Sequence, residues 1–187
     1  GSGSDSLTCV VVLTATDAAS TGTDHTITVT ITDTNDQAPS WTTSATASVA
    51  EGATAVATLA ATDSDTADSG GLTYTIKTND PSGTVFAVSG TALTMTAQDY
   101  ENPGCGSGSD SLTCVVVLAA TDAANTATAH TITVTITDTN DQAPSWTTSA
   151  TASVAEGATA VATMAATDSD TADSSGLTYT IKTNDPS

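Results

Sequence analysis

The chain has 187 residues, with 21 Asp and Glu against two Lys, a net charge of −19 at pH 7, and 3% aromatic residues. So acidic a chain has no basic patch to offer a nucleic acid or an anionic membrane, and it must either carry a solvated acidic surface or bind cations. Thr, Ala and Val fill much of the remainder, a mix that disfavours helices and suits half-buried strands. No apolar run approaches the ~20 residues of a membrane span. None has the layout of a signal peptide, so an export signal or anchor is expected outside this stretch.

In chain order, residues 53–61 form a weak strand candidate, followed by a clear one in which Leu72, Tyr74 and Ile76 alternate with polar residues. Val85 to Val88 is a second weak candidate, and Leu93 and Met95 alternate again. Leu112 to Asp122 is apolar on both faces over Cys114 to Leu118, which leaves its phase open. Thr131 to Thr137 alternates strictly and puts Ile132, Val134 and Ile136 on one face. Clusters of Gly, Asp, Asn and Pro at 63–71, 79–83, 102–110 and 138–144 punctuate these strands. Roughly seven short strands in about 100 residues predict an all-β, immunoglobulin-like sandwich.

The unit repeats. Residues 1–82 and 106–187 align without a gap at a period of 105 and differ only at Thr14/Ala119, Ser20/Asn125, Gly22/Ala127, Asp24/Ala129, Leu59/Met164 and Gly70/Ser175. A period that long is a whole domain instead of a solenoid turn. The expected layout is the C-terminal part of one repeat plus a linker at 1–36, a complete repeat plus a linker at 37–141, and the N-terminal part of the next at 142–187. Part-repeats have open sheet edges, so the expected object is a longer array, or a filament in which neighbouring chains complete each other. The opening Gly-Ser-Gly-Ser looks like an added linker but recurs at 106–109, so it belongs to the repeat.

The acidic residues stand at strand ends. Each repeat offers Glu51, Asp63-Ser64-Asp65, Asp99-Tyr100-Glu101, Asp122 and Asp138-Thr139-Asn140-Asp141. Carboxylates, Asn side chains and backbone carbonyls are the oxygen ligands that calcium takes, roughly six to eight at a time. Through Val49-Ala50-Glu51, Ala61-Thr62-Asp63-Ser64-Asp65, Gln98-Asp99-Tyr100-Glu101, Ala120-Thr121-Asp122 and Asp138-Thr139-Asn140-Asp141-Gln142-Ala143-Pro144, the chain resembles the cadherin repeat family. Five motifs in the family's order make that a specific resemblance. It implies tandem seven-strand Greek-key β-sandwiches with as many as three calcium ions at each junction between repeats.

The resemblance assigns ligands position by position. After the complete repeat, it implies Glu51, Asp99 and Glu101 from the upper repeat. The linker would add Asp138, Asn140 and Asp141 with backbone oxygens of Thr139 and Gln142, and Asp168 and Asp170 would come from the lower repeat. At the earlier junction it implies linker residues Asp33, Thr34, Asn35, Asp36 and Gln37 meeting Asp63, Asp65 and Asp122. Asp17 and Glu156 would serve further junctions. Gln37 and Gln142 depart from the Asn that the family usually has, a change that matters little where only the carbonyl oxygen is used.

Other readings compete. An EF-hand beginning at Asp63 fails, because its sixth position is Asp68 instead of Gly and its twelfth is Tyr74 instead of Glu. A merely solvated acidic surface does not explain five ordered motifs. His25 and His130 occupy one repeat position with no nucleophile at a telling spacing, so no enzyme is expected. Cys105 and Cys114 enclose a Gly/Ser loop and read as a disulfide within the repeat, whereas a metal site would want further Cys or His nearby. Cys9 matches Cys114, with its partner position falling just before Gly1. Outward Thr rows suit an exposed strand face, and dense O-glycosylation is the second reading of them. If Ala120 faces inward as the resemblance implies, Leu118, Val116 and Cys114 do too, and Val115 and Val117 face outward. The expected function is a calcium-rigidified extracellular or cell-surface array forming a stalk, hair or filament with other copies or repeats as partners. An adhesion-receptor ectodomain and an extender region of a bacterial surface adhesin are the alternatives.

Overall fold

The computed structural model describes residues 6–65, 71–79, 85–105, 112–125, 127, 129–171 and 176–183. Two strands, β1 (Ser6–Thr16) and β2 (Gly22–Thr32), form an antiparallel hairpin. The complete repeat comes next, with β3 (Ser40–Trp41), β4 (Thr46–Ala50), β5 (Ala55–Thr58), β6 (Ala61–Thr62), β7 (Thr73–Asn79), β8 (Phe86–Ser89), β9 (Ala92–Met95), β10 (Thr113–Thr121) and β11 (His130–Thr137). Two short strands lie beyond it, β12 (Ser145–Trp146) and β13 (Ala166–Thr167). Among the described residues no helix is long and apolar enough to cross a membrane.

The complete repeat has two layers. One is the four-stranded sheet β4-β11-β10-β7, in which β4 runs parallel to β11; the other holds β5-β9-β8, and β3 pairs with β6 at one end. The nine strand pieces make seven strands. The first is broken between β3 and β4 and the second between β5 and β6, where Thr43 ties the two breaks together. Its hydroxyl donates to Ala60 O at 3.1 Å and accepts from Ala60 N at 2.7 Å. Side chains from both layers meet in one core of Leu59, Phe86, Leu93, Met95, Val116, Leu118, Ile132, Val134 and Ile136. Strand β10 takes the phase that the sequence left open. Cys114, Val116, Leu118 and Ala120 are buried, while Val115 and Val117 are only half covered. Cys105 and Cys114 are disulfide-bonded with Cα atoms 5.3 Å apart, and both are in the core. Cys9 has an exposed thiol. The predicted turns at 63–71, 79–83 and 102–110 fall partly outside the described residues.

Flanking the complete repeat, nearly the same sequence has no second layer among the described residues. The hairpin is exposed along both strands, with Val11, Val29 and Ile31 46%, 46% and 55% accessible, although their counterparts Val116, Val134 and Ile136 are buried. Residues 151–155 repeat the sequence of β4 yet form no strand, because no described strand lies beside them to complete a ladder. Leu118→Ala should therefore destabilise the complete repeat by about 2–5 kcal/mol by opening a cavity. Leu13→Ala, at the matching position on the open hairpin, should change stability by less than about 0.5 kcal/mol in dilute solution. Urea denaturation followed by far-UV circular dichroism measures both.

Candidate metal centre

The second junction is assembled from three separate segments. Glu51 stands at the end of β4, where the next residue, Gly52, turns the chain with φ at +72°, a conformation that favours glycine. The Gly52 N–H donates to Gln98 O at 2.9 Å, which sets this turn against the segment carrying Asp99 and Glu101. Glu51 then spans two segments. Its Oε2 accepts from Tyr100 N at 2.8 Å and its Oε1 from Thr139 N at 2.7 Å, so one carboxylate ties the loop after β9 to the linker. Asp99 Oδ1 accepts from Glu101 N at 3.1 Å.

The linker is held to the following repeat in the same manner. Asp170 Oδ2 accepts from Gln142 N at 2.9 Å, and Asp168 Oδ1 accepts from Asp170 N at 3.0 Å. Asp138 Oδ2 accepts from Thr171 N at 2.6 Å and from the Thr171 hydroxyl. Asp141 Oδ1 accepts from the Gln142 side-chain amide at 2.7 Å. Gln142 thus contributes two donors here.

These contacts bring carboxylates together. Oxygens of Glu51, Asp99 and Glu101 lie within 4.8 Å of one another, and so do oxygens of Glu101, Asp138 and Asp170. Glu101 is common to both triads. Several of these oxygens are buried and have no hydrogen-bond partner: both oxygens of Glu101, Oδ1 of Asp138 and Oδ1 of Asp170. A buried carboxylate oxygen without a donor is costly, and clustering adds like-charge repulsion to the cost. The donor set is all hard oxygen and would suit a hard divalent cation. Burial raises the Glu101 carboxyl to about 7, with Glu51, Asp99 and Asp170 adding to the shift and a backbone N–H opposing it. Asp170 is raised as well, by burial first and then by Asp168, Asp138 and Asp141, against the Gln142 N–H.

The first junction shows the lower half of the same arrangement. Asp65 Oδ2 accepts from the backbone N–H of Asp36 at 2.8 Å and of Gln37 at 2.7 Å, and Asp63 Oδ1 accepts from Asp65 N at 2.9 Å. Asp63 Oδ2 is buried without a partner. Asp33 Oδ1 accepts from Thr34 N at 3.1 Å. Burial would raise Asp122, but hydrogen bonds outweigh it and leave its pKa lowered. They come from the N–H groups of Asn125 and Ala124 and from the side chains of Asn125 and Asn35. Asn125 Nδ2 also donates to Asn35 Oδ1 at 2.5 Å, so it links β10's end to the linker. Asp17 caps its own turn by accepting from Ala19 N and Thr21 N, and Glu156 is exposed. Thr171 and Asn125 take part without belonging to any of the sequence motifs. Threonine is too common here to stand out, and the position of Asn125 holds Ser20 in the preceding unit.

No protein-family model and no curated protein matches the sequence. Solved structures do match the fold. The extracellular cadherin domains 3–6 of protocadherin gamma B2 align with TM-score 0.61 and 23% identity over 76% of this chain and 35% of theirs. Human CDH23 EC21-23 aligns with TM-score 0.60 and 24% identity over 87% of this chain and 54% of that one. The protocadherin gammaB7 EC3-6 cis-dimer structure aligns with TM-score 0.59 and 22% identity over 76% of this chain and 36% of that one. The chain spans about a third to a half of the length of these structures. Its fold is that of cadherin-like tandem β-sandwich repeats.

A sign for pH comes from Glu101. Its folded pKa of about 7 lies above its ordinary 4.5, so the folded form holds the proton more tightly. Its contribution to stability is full below about 4.5 and is lost as pH rises towards 7. In chelator the wild-type junction should therefore weaken between these pH values, and Glu101→Gln should flatten that slope. Thermal unfolding of both proteins over a pH series measures it.

Proposed function

We propose that the chain is part of an extracellular array of cadherin-like repeats, rigidified by calcium at each junction and serving as a structural stalk, hair or filament. The observation that carries this reading is the convergence of partnerless, buried carboxylate oxygens from three segments: Glu101 from the upper repeat, Asp138 from the linker and Asp170 from the lower repeat. In this reading residues 37–141 are one complete repeat with its linker, and residues 1–36 and 142–187 belong to the repeats on either side.

At the second junction the ligands are Glu51, Asp99, Glu101, Asp138, Asn140, Asp141, Asp168 and Asp170, with backbone oxygens of Thr139 and Gln142. At the first they are Asp33, Asn35, Asp36, Asp63, Asp65 and Asp122, with backbone oxygens of Thr34 and Gln37. Bound calcium supplies the positive charge that lets these carboxylates stay ionised at close range. Residues 1–105 carry twelve acidic side chains against Lys77, hence −11, and three divalent ions would bring that to −5. The chain's own residues set the geometry: Glu51 clamps the loop after β9 to the linker, while Asp138 and Asp170 clamp the linker to the loop after β13. Repulsion among the carboxylates would loosen both clamps without calcium.

Near-identity of the units favours a spacer, because every unit then presents the same surface. A second reading, an adhesion ectodomain whose repeats pair side by side, is favoured by the likeness to a protocadherin cis-dimer structure. No catalytic role is assigned.

Small-angle scattering of the chain in calcium and in EGTA tests rigidity, with a larger maximum dimension expected in calcium; equal dimensions would sink the reading. Single ligands give a finer test. Asp141→Ala should severely weaken calcium binding in calorimetric titration, whereas Asp24→Ala, on the exposed hairpin, should leave it nearly unchanged. Similar losses for both would count against the assignment.

A further inference from the structure

Four polar side chains are buried among the described residues: Asp65, Asp122, Asp170 and Gln98. The three carboxylates stand at the junctions, whereas Gln98 is neutral and belongs to neither carboxylate triad. It also breaks the strand period. Leu93 and Met95 of β9 face the core, so strict alternation would bring residue 97 inward; instead Ala97 is exposed and Gln98 is 8% accessible. A buried amide one residue before Asp99 needs partners for both of its ends.

Its partners all lie along the loop that carries Asp99 and Glu101. Gln98 Nε2 donates to Thr96 O at 2.8 Å, Thr96 Oγ1 at 3.0 Å and Ala97 O at 3.3 Å. Its Oε1 accepts from Gly104 N at 2.8 Å, six residues on. Reversing the amide would set its NH2 against that N–H and its oxygen against two carbonyls, so the orientation is fixed. The approach depends on Gly104, where a Cβ would come 2.9 Å from Oε1. Cys105 follows, and its bond to Cys114 anchors the chain in the core. The loop is thus pinned by one amide across its base and by a disulfide just beyond. On the main-chain side, Gln98 O accepts from Gly52 N at 2.9 Å, directly after Glu51. One residue therefore binds both segments that supply the Glu51, Asp99 and Glu101 triad.

Inside the loop, Tyr100 packs against the core and its N–H donates to Glu51 Oε2 at 2.8 Å. The carboxylates on either side of it converge with Glu51, their oxygens within 4.8 Å of one another. Like-charge repulsion pushes such a loop outward. Gln98 resists that push without altering the charge of the triad, because its amide is neutral.

We infer that Gln98 is a positioning residue for this triad: its side chain holds loop 98–104 closed, so that Asp99 and Glu101 already face Glu51 before a cation arrives. It acts through the loop and not as a ligand. The cost of ordering the loop is then met on folding instead of on binding, which is how preorganisation raises affinity. The role presupposes the calcium reading of the junction and names what holds its upper half in place. Groups that orient metal ligands from behind are worth about 10–100-fold in metal affinity, and that sets the scale of the loss expected without the amide.

Calorimetric titration of calcium into the 187-residue chain, with amide NMR to resolve the two junctions, tests the role. Gln98→Met keeps the length of the side chain but has no amide. Calcium should bind the second junction of this variant about 10–100-fold more weakly. The Tyr100 and Thr139 amides, both donors to Glu51, should need correspondingly more calcium to shift. The Asp36 and Gln37 amides at the first junction should titrate as in the wild type. A residue serving only the fold would lower the melting temperature in EGTA and leave the calcium affinity of the folded protein as it was. Gly104→Ala displaces the same amide from the loop side, with no positive φ to strain the alanine, and decides the matter if Gln98→Met does not fold. It too should weaken calcium at the second junction alone. Wild-type affinity in the deciding variant, or equal weakening at both junctions, overturns the role and leaves the calcium reading standing. A wild-type chain that takes up no calcium overturns that reading and the role with it.

Discussion

Glu101 has both carboxylate oxygens buried beyond the reach of any described donor, and the junction is organised around that fact. Its partners in the two triads offset part of their charge with backbone N–H groups: Glu51 takes two, Asp99 one, Asp170 one and Asp138 one together with a hydroxyl. Those bonds hold the carboxylates in place but do not neutralise them. Three segments far apart in sequence, the loop after β9, the linker after β11 and the loop after β13, are thereby held with their negative charges facing inward. A junction built like this is soft without a counter-charge and stiff with one. The β-sandwich supplies the rigid ends on which those loops stand.

Near-identical sequence in two contexts separates local from tertiary causes. Thr46 to Ala50 is a strand because β11 lies beside it, and residues 151–155 have the same sequence and are no strand. Ile76 is half-buried beside Leu118, whereas Ile181 is 86% accessible. Propensity is equal in each pair, so neighbours alone make the difference. The hairpin is the informative exception: its strands pair with the same register whether or not a sheet surrounds them, because its ladder lies within one short stretch of chain. The Trp–Tyr contact near each linker behaves likewise, surviving on 142–183 without the rest of the core.

The sequence by itself determined the all-β class, the 105-residue period, the inward row of Ile132, Val134 and Ile136, the pairing of Cys105 with Cys114, and which carboxylates stand at strand ends. These come from periodicity, spacing and composition, which need no knowledge of neighbours. The phase of β10 was not legible from the residues alone, since apolar side chains lie on both of its faces, and packing against β7 and β11 decided it. Sequence motifs set Asp17 and Glu156 apart from the second junction, but only the fold decided which oxygens of Glu101, Asp138 and Asp170 are buried without a donor. The roles of Thr171 and Asn125 as donors were also decided only by the fold. Burial and hydrogen-bond supply are properties of what surrounds a side chain, and these surroundings come from segments tens of residues away in the chain.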